Sequence, residues 1–85
     1  MKTIYNVAVL MESQAQCVRM KQLCLDNGLP IGNHKNDYKF VEHETEKNCF
    51  RFSNQWKCFA IWWLDDLNEL VTESEFIELL KNHKG

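Results

Sequence analysis

One proline and three glycines among 85 residues leave no segment that reads as a linker, a flexible tail or a low-complexity tract. No stretch approaches the roughly 18 consecutive apolar residues of a membrane span. The apolar run near the amino end, Val7-Ala8-Val9-Leu10-Met11, is too short for a signal peptide and soon meets Glu12 and Ser13, so the expected location is the cytoplasm. Excess charge is also missing: the formal net charge is -2. That excludes both the basic footprint of a typical nucleic-acid binder and the dense carboxylates of a DNA mimic. Four cysteines are present, but no two have the close spacing of a zinc knuckle. Cys17 and Cys24 lie about 10.5 Å apart along one helix, beyond the reach of a disulfide. They are expected to be reduced, buried thiols, and neither a metal nor a cofactor is called for.

What the chain does have is apolar mass, 45% hydrophobic and 12% aromatic residues, enough to fill the core of one small domain spanning residues 1–85. Thr3–Met11 is apolar on both faces and reads as a central strand. Ser13 can cap a helix that Asn27-Gly28 ends, with Cys17, Met20 and Cys24 central on its apolar arc. Lys21 falls inside that arc and is expected to snorkel over the core edge. Strands are predicted at Tyr38–Val41, Asn48–Ser53 and Trp56–Leu64, forming an antiparallel meander. Thr72-Glu73-Ser74-Glu75 is a capping box opening a last helix over 73–83. The predicted fold is α+β, in the order β-α-β-β-β-α: a four-stranded, mostly antiparallel sheet with both helices on one face.

Charge is unevenly distributed along the chain. Between Lys57 and Lys81 stand Asp65, Asp66, Glu69, Glu73, Glu75 and Glu78 with no base among them, directly after the apolar run Cys58–Leu64. Trp62 and Trp63 are adjacent on one strand, so they point to opposite sides of the sheet and one must face away from the helices. With Trp56 they predict an aromatic patch on an uncovered sheet face, fringed by those carboxylates and suited to a basic protein partner. Homodimerisation across the same face is an alternative. A second reading places RNA or single-stranded DNA on Phe50, Arg51 and Lys57. It is weaker, because the glycine-aromatic ribonucleoprotein consensus is absent and Glu73-Ser74-Glu75 stands where double-stranded RNA binders carry lysines. A third reading is a small-nucleotide sponge with a pocket between helix and sheet.

No constellation points to catalysis. Asp65 and Asp66 are neighbours that diverge on extended chain, His34 and His43 lie in polar loops, and Glu12 at the first helix start repels an anion.

The short strand Val7–Met11, the helix from Ser13 to Gly28 and the closing Thr72-Glu73-Ser74-Glu75-Phe76-Ile77-Glu78-Leu79-Leu80 together resemble the small accessory proteins of tailed bacteriophages. The likeness lies in length, element order and closing motif, and it carries no site residue. It implies a non-enzymatic early protein that binds a host factor, such as a defence-system component or a toxin, in the host cytoplasm.

Overall fold

The computed structural model describes residues 2–65 and 68–84. Its elements are β1 (Val7–Leu10), α1 (Gln14–Asp26), a 3-10 turn at Thr45–Lys47, β2 (Cys49–Ser53), β3 (Cys58–Trp62), β4 (Glu69–Val71) and α2 (Glu73–Lys84). The order is β-α-β-β-β-α, and the four strands form one mixed sheet in the order β3-β2-β1-β4. β1 pairs antiparallel with β2 and parallel with β4, while β2 and β3 form an antiparallel hairpin. The fold class is the α+β arrangement expected.

Both helices stop and start where their caps dictate. Ser13 Oγ accepts the Gln16 N–H at 3.1 Å, and at the far end Leu29 N–H donates to the Cys24 carbonyl across Gly28, whose φ of 67° suits glycine. At α2, Thr72 Oγ1 accepts the Glu75 N–H at 3.1 Å and Glu75 Oε1 accepts the Thr72 N–H at 3.2 Å, a closed capping box.

Strand alternation sorts the sheet into two faces. Val7, Val9, Phe50, Phe59, Ile61 and Val71 share one, and they are buried together with Cys17, Met20 and Cys24 of α1 and with Phe76 and Leu80 of α2. Both helices therefore cover this face. Phe76 meets Phe50 edge-on at 5.2 Å, and Phe50 stacks on Phe59 at 5.6 Å. Glu73 at the start of α2 ties the helices together, accepting from Arg19 Nε and Nη2 and from Gln16 Nε2 at 2.9–3.0 Å. Lys21 rides over the Tyr38 ring with its ammonium 5.4 Å from the centroid, as the apolar-arc position predicts.

Two strand assignments change. Tyr38–Val41 is not a strand: its backbone is satisfied by amide side chains, where a strand would use a ladder. Gln14 takes the Phe40 N–H and donates to the Tyr38 carbonyl, at 2.8 and 2.9 Å. Asn48, fully buried, does the same for Val41, at 2.8 and 2.7 Å. Tyr38 itself turns inward and its hydroxyl donates to the Phe59 carbonyl. The fourth strand is Glu69–Val71, beside β1. At three residues it is too short for any alternation to show. The predicted three-strand meander reduces to the β2–β3 hairpin, and its third member is replaced by a parallel strand from beyond the aromatic run.

The outer edge of β3 is closed by loop backbone. Phe59 N–H donates to the Pro30 carbonyl at 2.9 Å, Gly32 N–H to the Phe59 carbonyl at 3.2 Å, and Ile61 N–H to the Asp37 carbonyl at 2.8 Å. Loop 30–41 is thus bound to the strand that carries the tryptophans.

Candidate functional site

The face opposite the helices, expected to be bare, is closed at its centre and open at its margin, where Leu10 and Leu70 are exposed. Its centre consists of Ala8, Cys49 and Ala60, all essentially inaccessible. Between Ala8 and Ala60 stands Arg51, whose Nε donates to the Trp63 carbonyl at 2.7 Å and whose Nη1 reaches the Phe52 carbonyl at 3.4 Å. β3 and β4 stand at opposite edges of the sheet, and Arg51 holds Trp63, where the chain leaves β3, against the small side chains. By strand register Trp62 belongs to this face, as the alternation predicts for one of the two adjacent indoles.

The indoles lie along β3, the outermost strand of the sheet. Trp56 projects from the turn joining β2 to β3 and is 63% exposed. That turn is held by Ser53, whose carbonyl accepts the Lys57 N–H at 2.7 Å and whose hydroxyl accepts the Trp56 N–H at 3.1 Å. Lys57 occupies the left-handed region with φ 56°, a conformation glycine or asparagine adopts more readily. Trp62 and Trp63 do part company as the alternation predicts. Trp62 is half-buried, and its indole N–H is shut in with no acceptor among the described residues. Trp63 is 55% exposed, with the Lys47 ammonium 4.7 Å from its ring centroid. Both rings, with Lys39 and Lys47, line a hollow of about 350 Å³.

The carboxylates are elsewhere. Glu69 and Glu75 both meet the Lys2 ammonium, at 2.9 and 3.7 Å, Glu73 is held by Arg19, and Glu78 lies 3.9 Å from Lys81. The Arg19 hydrogen bonds hold the Glu73 carboxyl below its ordinary pKa, and the Thr72 backbone N–H does the same for Glu75. All four belong to β4 or α2, at the far side of the sheet from Trp56, Trp62 and Trp63. Three strand spacings, about 14 Å, separate the two edges. Asp65 lies with Tyr5, Asn6 and Arg51 around one hollow, and Asp66 lies outside the described residues. The aromatic residues and the acids therefore do not form one surface. The charges around the exposed indoles are mixed: Lys39, Lys47 and Lys57 stand with Asp37 and with Glu44, which is paired with Lys47.

The nucleic-acid reading loses two of its three residues. Phe50 is sealed in the core with no accessible surface, so it cannot stack on a base. Arg51 is spent on two backbone carbonyls of its own chain. Lys57 alone of the three is fully exposed, Arg51 being half-buried.

The four thiols are free and buried. Burial pushes Cys17 up to about 11 and Cys24 up to about 12, and it raises Cys49 and Cys58 as well, which keeps all four protonated and weakly nucleophilic at neutral pH. Among the described residues, no three His, Cys, Asp or Glu side chains come together as a metal site, and no helix is long and apolar enough to cross a membrane.

Sequence reasoning missed the loop that shapes this edge. His34 N–H donates to Asp37 Oδ2 at 2.9 Å, and the Gly32 backbone passes so close that a Cβ there would sit 2.1 Å from the same oxygen. Gly32 and Asp37 within one polar stretch are the visible signal, a close backbone approach paired with an acceptor side chain. Comparison of the chain with protein-family models, with curated proteins and with solved structures finds no match.

Proposed function

We propose that this chain is a non-enzymatic protein-interaction module that docks on its partner by the tryptophan-bearing edge of the sheet. The observation that carries the reading is the contrast among the rings. Phe50, Phe59 and Phe76 are closed in the core, while Trp56 and Trp63 leave more than half their surface in water at the same edge. Exposed indoles are the side chains most often found at the energetic centre of protein interfaces. Lys39 and Lys57 beside them favour an acidic partner surface, steering its approach while the rings supply the affinity, and Lys47 is already paired with Glu44. The resemblance to phage accessory proteins supports a host protein as that partner, inhibited or redirected in the host cytoplasm.

The test is retention from a bacterial lysate on immobilised wild-type chain and on the Trp63→Ala and Lys47→Glu variants. An acidic protein held by the wild type, released by raised salt and lost from both variants is the expected result. Identical retention by all three chains would remove the edge from consideration. Gel filtration supplies the competing outcome: a dimer that Trp63→Ala dissolves would assign the edge to a second copy of the chain.

A further inference from the structure

A cavity of about 540 Å³ opens between loop 30–37 and the β2–β3 turn. This lies within the range of roughly 300–1,000 Å³ that holds small organic ligands. Ile31, His34, Asp37, Trp56, Lys57 and Trp62 contribute to its wall. We propose that this cavity binds a free mononucleotide, with the base against indole and the phosphate on Lys57.

Three features of the wall select that chemistry. Two indoles border one space, and Ser53 fixes the backbone of the turn from which Trp56 projects, so a flat heteroaromatic ring finds a stacking partner there. The turn keeps a lysine in the left-handed region, where glycine would be unstrained, and so places an ammonium at the cavity. Loop 30–37 adds an acceptor and a donor. Asp37 uses Oδ2 for the His34 N–H, and its second oxygen can take an exocyclic amine or ring N–H of a base. His34 accepts the Asn36 N–H on Nδ1 at 3.1 Å, so the neutral ring carries its hydrogen on Nε2 and can donate to a ribose or phosphate oxygen.

A single nucleotide fits better than a strand. A strand needs a run of exposed rings and bases to follow, and Phe50 and Arg51, the residues that would continue it along the sheet, are withdrawn into the core and onto the Trp63 carbonyl.

The experiment follows intrinsic tryptophan fluorescence and the thermal midpoint of the intact chain against AMP, GMP and UMP, each titrated to millimolar concentration. Inorganic phosphate and an eight-nucleotide single strand are parallel arms. Saturable quenching with a raised midpoint is expected for at least one mononucleotide. Trp56→Ala and Lys57→Gly should each weaken it about tenfold or more. Trp63→Ala, which lies outside the cavity wall, should leave it unchanged. Absence of a saturable response to all three mononucleotides would overturn the assignment. So would saturation by the strand alone, by phosphate alone, or wild-type affinity in Trp56→Ala and Lys57→Gly. Trp56 and Lys57 belong to both sites, but Trp63→Ala bears on partner docking alone, so nucleotide binding and docking can fail independently.

Discussion

At the β4 edge, Glu69, Glu73, Glu75 and Glu78 each face a basic side chain of the same molecule. At the β3 edge, Trp56 and Trp63 stand in solvent beside lysines. The first edge uses charge to hold a short parallel strand and two helices in place. The second leaves its costliest apolar surface unsatisfied. A carboxylate cluster in a sequence is therefore weak evidence of a docking surface until its internal partners are known, whereas a solvent-facing indole at a rigid turn keeps its meaning.

The largest expected effect tests what shapes the indole edge. Asn48→Ala leaves the Val41 N–H and carbonyl without their buried partner and should cost about 3 kcal/mol in urea unfolding. A loss under about 1 kcal/mol would mean that loop 38–41 is not held as described. Next comes the acidic edge. Glu73→Lys sets a cation against Arg19 and should destabilise by about 1–2 kcal/mol, although the same change on a solvated docking fringe would be nearly silent.

The pH profile sharpens that point. Glu73 and Glu75 are depressed in the folded state, so the unfolded chain binds more protons as acid is added. Their contribution is intact above the ordinary carboxyl value of about 4.3 and is lost as pH falls through their folded values. Glu73→Gln should be less stable than wild type at pH 6, with the gap closing in acid. A constant gap would deny the coupling. Lys57→Gly relieves the left-handed strain and should raise stability by about 0.5–1 kcal/mol, reading out the cost of keeping a lysine in that turn. The smallest change is Trp63→Ala: stability should stay within about 0.5 kcal/mol while partner retention falls. Large destabilisation instead would make Trp63 a structural residue.

The fold was legible wherever local chemistry decides it. Ser13, Gly28 and the Thr72–Glu75 box mark helix ends through contacts within a few residues, and the Cys17–Met20–Cys24 seam is a simple helical period. What escaped depends on distant pairing. Tyr38-Lys39-Phe40-Val41 alternates like a strand, but Gln14 and Asn48, remote in the chain, capture its backbone. Glu69-Leu70-Val71 carries too few residues to announce itself, and it becomes a strand because β1 offers an unpaired edge. The candidate site suffered similarly. Trp56 was expected to open a strand on the sheet face and stands instead in the turn before β3, and the separation of acids from indoles is set by strand order, which no local pattern reveals.

β1 lies inside the sheet, yet one of its two neighbours comes from residues 69–71. Any product truncated ahead of Glu69 would present Val7-Ala8-Val9 with an unpaired backbone row and no α2 above it. Such a fragment is a template for intermolecular strand addition. Assembly of the sheet must therefore wait for its most distant contact in the chain, which raises contact order and slows folding.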